Sequence, residues 1–519
     1  MSSVVQISRR RTLVAQSFAF RGNVPMKLSA LKLALLSAGM ATGVLATQAH
    51  AAPLTEAGRA QILKAVDADA PQIQDAALKI WGFAEVGYQE TKSTALLQGQ
   101  LKAAGFDVKA GVAGEPTAFI ASFKNGAGPV VAVLAEFDAL PGLAQTADPV
   151  KTGVPGQIAG HGCGHNLFGA ASVGAAVALK EWMVKNNVKG ELRVYGTPAE
   201  EGGSGKVYFV RDGLFNDVDV TLHWHPNSEN TAVQGVSLAN ISGKFRFHGV
   251  SAHAAAAPDK GRSALDGVEI MDVATNFLRE HIPEQTRIHY VVTSGGSAPN
   301  VVPDFAEVYY YVRHPNPAVV KDVWSRVEKA AQGAALATGT TVDTEITGGV
   351  YALLPNDTLG RVMDANLRKV GGITWTPEEI AFAKKIQETL PGAPSIDTVK
   401  TIEPYKIEMD GSGGSTDVSD ISWVTPTVGL GTATFVPGSA GHSWQNVAAA
   451  GMSIGVKGAV NAAKTLALTG ADLFSNPDLV KKAKAELEQR RGPNFTYKAM
   501  LGDRPPALDY RKPATAGRE

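Results

Sequence analysis

The chain has 519 residues, with 49 basic and 49 acidic side chains, and 44% of its residues are hydrophobic. This composition is that of a globular protein rather than a disordered or collagen-like one, and the length is sufficient for two or three domains. A net charge of zero without a dense basic stripe argues against electrostatic binding to nucleic acid or a membrane surface, so we expect a small-molecule or peptide substrate.

The N-terminus has the pattern of an export signal. From Met26, a basic start with Lys27 and Lys32 precedes an apolar stretch that ends in the small-x-small sequence Ala49-His50-Ala51. The apolar stretch is short for a membrane span and rich in Gly, Ser and Thr. We therefore predict a true start at Met26, a signal peptide within residues 1–51 and a periplasmic or secreted mature protein.

Residues 52–235 alternate between helical and strand patterns. Helical spacing continues to about residue 112, and strand-like runs follow at 118–123 and 129–140. The second run is almost uninterrupted in its apolar character, as expected of a central strand buried on both faces. Further strands and helices alternate to residue 235. This order predicts an α/β sheet whose strand ends carry the chemistry.

The pattern changes at about residue 236. A strand–helix–strand–strand–helix–strand order over 236–348 predicts a compact α+β insert of the ferredoxin-like kind. Residues 349–485 would then complete the first domain. The tail at 486–519 is rich in Pro and charged residues from Pro505 onwards, and we expect its end to fray.

The chain has a single cysteine, Cys163, in the sequence GHGCGHN. One cysteine cannot form an intramolecular disulfide, so in an exported protein it is either buried and inert or has its sulfur bound. With His165 it offers a thiolate and an imidazole two residues apart, which suits zinc or another transition metal. A buried cysteine beside a core histidine explains this stretch alone equally well.

Three more polar stretches lie at the ends of predicted strands. Glu200 and Glu201 are adjacent carboxylates after a buried strand, and their repulsion calls for a cation or a proton. His223 and His225 point to the same face of their strand, and His442 follows a Gly-rich strand end. Each has an ordinary explanation, such as a solvated loop or a packed histidine. Together they predict a metal site at one edge of the sheet.

These motifs resemble the M20 family of metallopeptidases and amidohydrolases, in particular its aminobenzoyl-glutamate hydrolase branch. The matching stretches occur in order across most of the chain after residue 52: GHGCGHNLFGAA, GTPAEEGGSGK, DVDVTLHWHP, GVSAHAAAAPDKGRSALD, PNVVPDFAEV, GGSTDVSDISW and GHSWQ. The resemblance implies a zinc-exopeptidase-like catalytic domain with an inserted lid and dimerisation domain. It also implies two divalent metal ions, with zinc and manganese as the leading candidates.

The resemblance also assigns roles to the residues of the predicted metal site. It implies that Glu200 is the general base and that Cys163 is a thiolate ligand bridging the two ions. One histidine of LHWHP is a further ligand; we prefer His225 because Trp224-His225-Pro226 matches the branch, with His223 as the alternative. The other implied ligands are His165, Glu201 and His442.

Neighbouring residues carry weaker signals. Many M20 relatives have aspartate where this chain has Asn166, and asparagine there is typical of the aminobenzoyl-glutamate branch. Asp138, in EFDALPG, is either a carboxylate that orients a metal ligand or a turn cap. His161 we interpret as structural, and Asp417 and Asp420 as structural residues that could line the pocket.

In the predicted lid, the resemblance singles out three residues. His253 matches a histidine that reaches the active site of the neighbouring subunit and stabilises the oxyanion. Asn300 and Arg313 match positions that bind the carboxylate of the substrate, and the planar guanidinium of arginine suits that role. From the sequence alone, His253 is an ordinary loop histidine and Arg313 a surface charge.

We therefore predict a binuclear metal-dependent hydrolase that cleaves the amide bond of N-acyl amino acids, with N-aroyl compounds such as aminobenzoyl-glutamate favoured. One alternative is a broader M20 carboxypeptidase or N-acyl-amino-acid deacylase. An alternative of another class is an inactive periplasmic protein that binds metal or peptide, against which the intact Glu200 argues. We expect a homodimer or a complex with a related sister subunit, and neither nucleic acid nor membrane as a partner.

Overall fold

The computed structural model describes residues 54–411 and 413–511, so the predicted signal peptide lies outside the described residues. The strands are β1 (Asp107–Ala110), β2 (Phe119–Lys124), β3 (Val130–Ala135), β4 (Leu140–Pro141), β5 (Ala159–Gly160), β6 (Glu191–Gly196), β7 (Val220–Leu222), β8 (His225–Asn227), β9 (Gln234–Gly235), β10 (Ala239–His248), β11 (Arg287–Ser294), β12 (Phe305–His314), β13 (Thr341–Val350), β14 (Ile407–Glu408), β15 (Thr427–Val428) and β16 (Gly431–Ala433).

The α-helices are α1 (Glu56–Phe83), α2 (Thr91–Ala103), α3 (His165–Lys185), α4 (Glu200–Gly203), α5 (Gly205–Arg211), α6 (Ala264–Leu278), α7 (Pro317–Thr338), α8 (Asp357–Val370), α9 (Pro377–Gln387), α10 (Val418–Ser422), α11 (Trp444–Ala450), α12 (Ser453–Ser475) and α13 (Pro477–Arg491). The elements α6, α7 and β10 to β13 form an inserted unit, here called the lid. The other described elements form the main domain.

The main domain is built on a six-stranded sheet in the order β1-β2-β6-β3-β7-β15. Strands β6, β3, β7 and β15 are parallel, whereas β1 and β2 are antiparallel additions at one edge. Apart from Val130, every residue of β3 is buried, in agreement with the unbroken apolar run in its sequence. Because the parallel strands share one direction, their carboxyl ends meet at the same edge of the sheet.

Helix α3 packs closely against the end of β3 and against α1 because its sequence is rich in small residues. A Cβ atom on Gly169 would lie 2.7 Å from the Glu136 carbonyl oxygen, and one on Gly174 would lie 2.5 Å from Ile73 of α1. By length and composition α3 could span a membrane, yet 78% of its most apolar window is buried inside the protein. It is therefore a core helix, and its first residue, His165, lies beside the end of β3.

The lid contains a four-stranded antiparallel sheet in the order β11-β12-β10-β13, with α6 and α7 packed together against it. This order and connectivity are those of the ferredoxin-like fold. The predicted fold class, an α/β main domain with an inserted α+β unit, is confirmed.

The sequence predicts that the end of the chain frays from Pro505 onwards, but its described part, up to Arg511, is packed, and residues 512–519 lie outside the described residues. Helix α13 continues to Arg491, past the boundary predicted at residue 485. Beyond it, Met500 is buried in the core of the lid and Leu501 packs with Val350 and Tyr208. Tyr510 reaches the main domain, where its hydroxyl donates a hydrogen bond to the Glu201 carbonyl. The apolar side chains of Met500 and Leu501 explain why this segment packs despite Pro505 and Pro506.

Candidate active site

Polar side chains converge at the carboxyl edge of the central sheet. Glu136 and Asp138 follow β3, and Glu200 and Glu201 follow β6. His225 follows β7 after two residues, and His165 begins α3. The close packing of α3 on β3 brings His165 to the same edge of the sheet.

His165 lies between two buried carboxylates. Its Nδ1 atom is 2.8 Å from Asp138 Oδ1, and its Nε2 atom is 3.1 Å from Glu136 Oε2. Burial alone would raise the pKa of Asp138, but His165 and the amide of Glu201 lower it, so this carboxylate is ionised and accepts the Nδ1 proton. This hydrogen bond leaves Nε2 as the nitrogen available to a metal ion.

His225 and Cys163 form the next part of the cluster. His225 Nε2 lies 3.4 Å from Cys163 Sγ, and His225 Nδ1 is 2.8 Å from the Pro226 carbonyl, to which it donates. That hydrogen bond places the lone pair of the ring on Nε2, facing the sulfur.

The structure separates the two histidines of LHWHP. His223 lies outside the donor groups found among the described residues, whereas His225 belongs to one of them. The His223 ring packs instead against Gly429, where a Cβ atom would lie 2.4 Å from His223 Nε2. Burial lowers the pKa of His223 to about 4, so it is a neutral packed side chain.

Glu201 and His442 approach Cys163 from the other side. His442 Nε2 lies 3.3 Å from Glu201 Oε1. Glu201 is oriented through its backbone, because its amide donates to Asp138 Oδ2 at 2.9 Å. Asp138 therefore accepts one hydrogen bond from His165 and another from Glu201, which is the arrangement of a carboxylate that orients metal ligands.

The donor atoms fit divalent transition-metal ions. Two groups of ligand atoms, each lying within 4.8 Å of one another, share Cys163: Cys163, His165 and His225, and Cys163, Glu201 and His442. His165 Nε2 and Glu201 Oε1 are buried and lack a partner with hydrogen-bond geometry among the described residues, despite their short distances to neighbouring groups. Thiolate, imidazole and carboxylate donors together suit zinc and its neighbours in the first transition row.

A bound ion would also change the charge of Cys163. Burial raises the pKa of this thiol to about 12, so the sulfur is neutral at physiological pH when no cation is near it. A coordinating metal ion removes the thiol proton.

Sequence reasoning missed two charged residues of the site, Glu136 and Lys206, and Lys206 pairs with Asp417, which the sequence indicates to be structural. Lys206 Nζ lies 2.7 Å from Glu136 Oε1 and 2.8 Å from Asp417 Oδ1, and all three side chains are buried. Burial opposes the charge of Lys206, but both carboxylates raise its pKa above the usual value. Glu136 had a detectable signal, since it precedes Asp138 by two residues and so shares its face of the strand. For Lys206 and Asp417 the pairing is tertiary and left no pattern in the sequence.

A cavity of about 410 Å³ opens beside the cluster. Glu200 faces it, and burial together with Glu136 and Glu201 raises the pKa of this carboxyl well above its usual range. The other lining residues comprise cluster members, hydroxyl side chains, glycines, one valine and one further carboxylate: Cys163, Glu201, His225, Gly235, Val236, Ser237, Glu408, Gly414, Ser415, Thr416 and His442.

The structure of one chain does not bring the three predicted lid residues to this cavity. His253 and Asn300 are exposed on the lid surface, and the backbone at these positions is joined by the Ala254 amide, which donates to the Asn300 carbonyl. Arg313 lies on β12 with its guanidinium 5.2 Å from the centre of the Tyr311 ring.

Two other residues of the GHGCGHN stretch hold helices in place. His161 Nε2 lies 3.1 Å from the Ile80 carbonyl, and burial lowers the pKa of this imidazole to about 3. The side-chain amide of Asn166 donates to the carbonyls of Ala77 and Ala450, which ties α3 to α1 and α11. Asparagine at this position serves packing, which an ionised aspartate could not do with the same two acceptors.

Comparisons with known proteins agree with this architecture. The model of the M20 peptidase dimerisation domain matches residues 239–338, which is most of the lid. The chain is 41% identical to one of the subunits of p-aminobenzoyl-glutamate hydrolase from Escherichia coli (strain K12), over 82% of this chain and 94% of that protein. It is 30% identical to the Xaa-Arg dipeptidase of Mus musculus, over 82% of this chain and 90% of that protein.

The fold is also found among solved structures. A dinuclear metal-binding peptidase of the M20 family from Bacillus subtilis is similar with a TM-score of 0.52 at 17% identity, over 78% of this chain and 98% of that one. At this identity the similarity shows the shared fold.

We predict that Cys163→Ala loses most of the divalent metal bound by the wild type, because the sulfur belongs to both donor groups. Elemental analysis of purified protein measures this. His223→Asn is the matched control, since His223 lies outside both groups, and it should keep its metal. Equal metal content in Cys163→Ala and the wild type would remove the ligand assignment.

Proposed function

Because this chain belongs to the M20 family of metal-dependent amidohydrolases and peptidases, we propose that it hydrolyses the amide bond of N-acyl amino acids with two divalent ions. The leading substrate is p-aminobenzoyl-glutamate. The observation that carries the proposal is a pair of donor groups sharing Cys163 at a cavity into which Glu200 projects.

In this proposal some side chains would bind the ions, and others would hold those ligands in place. Ligands would be Cys163 for both ions, with His165 and His225 on one and Glu201 and His442 on the other. Bound there, divalent ions would polarise the scissile carbonyl and activate the attacking water. Asp138 holds His165 and Glu201 in place, and Lys206 holds Glu136.

Glu200 is the proposed general base. It lines the cavity next to both donor groups but belongs to neither of the groups that contain Cys163. A carboxylate in this position can take a proton from the attacking water and give it to the leaving nitrogen. Without a cation, burial and the carboxylates around it raise its pKa, so nearby positive charge is required for it to act as a base.

Two relatives indicate two substrate classes. The match over nearly the full length of the E. coli hydrolase chain supports an N-aroyl-glutamate. The match to the mouse Xaa-Arg dipeptidase supports a dipeptide with a basic residue, and one structural feature favours it: the Glu408 carboxylate lines the cavity and could pair with a cationic side chain. Lys406 Nζ, however, already lies 2.6 Å from Glu408 Oε1, which weakens that attraction.

The lid offers a surface for a second subunit. Ile270, Val273 and Phe277 lie on one face of α6 with 41%, 53% and 69% exposure. Strand β11 is an edge of the lid sheet, and Val291 and Val292 are exposed on it. Edge strands and apolar stripes of this size are normally covered.

We propose that a second copy of the chain covers α6 and β11, in accordance with the dimerisation-domain match. In that assembly His253, Asn300 and Arg313 would serve a site completed by two subunits. Since the E. coli hydrolase has two differently named subunits, both similar to this chain, a related sister chain is the alternative partner.

We expect Glu200→Gln to keep the fold and the bound metal but to lose turnover by roughly 10²–10⁴-fold, the usual contribution of a general base. Metal content and the rate of p-aminobenzoate release measure the two effects. The control is Glu229→Gln, an exposed glutamate outside the cavity. Wild-type turnover in Glu200→Gln would exclude Glu200 as the base.

A substrate panel separates the two substrate classes. With equal metal loading, kcat/KM for p-aminobenzoyl-glutamate should exceed that for dipeptides ending in arginine by roughly tenfold or more, the discrimination a shaped pocket can supply. Preference for the arginine dipeptides, abolished in Glu408→Gln, would overturn the aroyl-glutamate assignment in favour of the second class.

Phe277→Asp should convert the proposed dimer to a monomer, because a charge would replace the most exposed apolar side chain of the α6 face. Light scattering during size-exclusion chromatography measures the mass. Val184→Asp, at an exposed valine of the main domain, is the matched control and should stay dimeric. A Phe277→Asp variant that remains a dimer would place the interface elsewhere.

A further inference from the structure

The turn that carries Glu200 and Glu201 has a strained backbone. Ala199 and Ser204, which flank it, both have left-handed conformations, with φ 56° and 55°. Such conformations cost energy for residues with a Cβ atom and persist where the surroundings hold them. One support is Glu90, whose Oε1 accepts the Ala199 amide proton at 2.9 Å.

The second support is the end of the chain. Residues 499–511, here called the C-terminal strap, leave the lid and cross to the main domain. Near the lid, Met500 packs so closely on β13 that a Cβ atom on Gly349 would lie 2.8 Å from Met500 Cβ. Along the main domain, Arg211 Nη1 donates to the Arg504 carbonyl at 2.6 Å and Gln89 Nε2 donates to the Leu508 carbonyl at 2.8 Å.

The last described residues of the strap bind the strained turn directly. Tyr510 Oη and Arg511 Nη2 donate to the same acceptor, the Glu201 carbonyl oxygen, at 2.9 and 2.8 Å. The Tyr510 ring lies edge-on to Tyr88 with 5.7 Å between centroids, and Tyr88 Oη donates to the Gly203 carbonyl at 3.1 Å.

Glycines make room for this contact. A Cβ atom on Gly87 would lie 2.2 Å from Tyr510 Oη, and one on Gly203 would lie 3.2 Å from it. The absence of side chains at Gly87 and Gly203 therefore leaves space for the Tyr510 hydroxyl.

We propose that Tyr510 and Arg511 are positioning residues that fix the Glu200–Glu201 turn through the Glu201 carbonyl. The donated hydrogen bonds hold the backbone of Glu201, while the Asp138 carboxylate holds its amide, so the peptide groups on both sides are restrained. Because the strap is also anchored in the lid core, it couples the position of the lid to the geometry of the turn. The inference rests on the proposed role of Glu201 as a metal ligand.

The test is the double variant Tyr510→Phe with Arg511→Met in the full chain, with zinc affinity measured by chelator competition. The dissociation constant should rise by about 10–100-fold, as for other groups that orient a metal ligand, and kcat should fall with KM unchanged. Restoring a donor with Arg511→Lys in the Tyr510→Phe background should recover part of the affinity. If the double variant does not fold, Tyr510→Phe alone gives the same reading, since it removes one oxygen atom.

Tyr405→Phe is the matched control, because it removes a tyrosine hydrogen bond of 2.8 Å to Asp357 away from the turn. Zinc affinity and kcat equal to those of this control would overturn the positioning role. Zinc affinity measures the positioning role whether or not the chain cleaves p-aminobenzoyl-glutamate. The experiment therefore distinguishes a wrong substrate assignment from a wrong assignment of the positioning role.

Discussion

Carboxylates buried together at one edge of a sheet require compensating positive charge, and the architecture around the cavity follows from that requirement. Glu136, Asp138, Glu201 and Asp417 are all buried there. Lys206 lies between Glu136 and Asp417, and its positive charge compensates both. His165 lies between Glu136 and Asp138. Glu201 has the half-exposed His442 as its partner. In the proposed function, divalent cations would supply the missing charge, and the Cys163 thiol, whose pKa burial raises, would lose its proton to become a ligand.

The fold delivers these groups through backbone geometry as much as through side-chain chemistry. Small residues in α3 let the helix approach β3, which places His165 between Glu136 and Asp138. The parallel strands β3 and β6 end side by side. The strained turn after β6 directs the side chains of Glu200 and Glu201 to different partners. Glu201 lies in a donor group with Cys163, while Glu200 lies in a third group of possible ligand atoms, with Glu136 and His165, whose atoms are within 4.8 Å of one another.

Much of this arrangement was predictable from the sequence because it depends on local pattern. Apolar runs and their polar ends predicted the buried strands and the edge at which Cys163, His165, Glu201 and His442 meet. The choice between His223 and His225 depended on which imidazole packs against Gly429, a contact of distant residues. Likewise, the Lys206 pairings and the docking of Tyr510 join segments far apart in the chain, so neither periodicity nor spacing could reveal them.

The proposed metal site depends on the sulfur of Cys163, which would bind the metal and be shared between two ions. X-ray absorption at the zinc edge of the zinc-loaded protein tests it most directly. If Cys163 is shared between two ions, we expect a sulfur neighbour at about 2.3 Å from zinc, with an average of one sulfur for each zinc, together with a zinc–zinc scattering path. A spectrum fitted entirely by nitrogen and oxygen neighbours, with zinc bound at full occupancy, would contradict it.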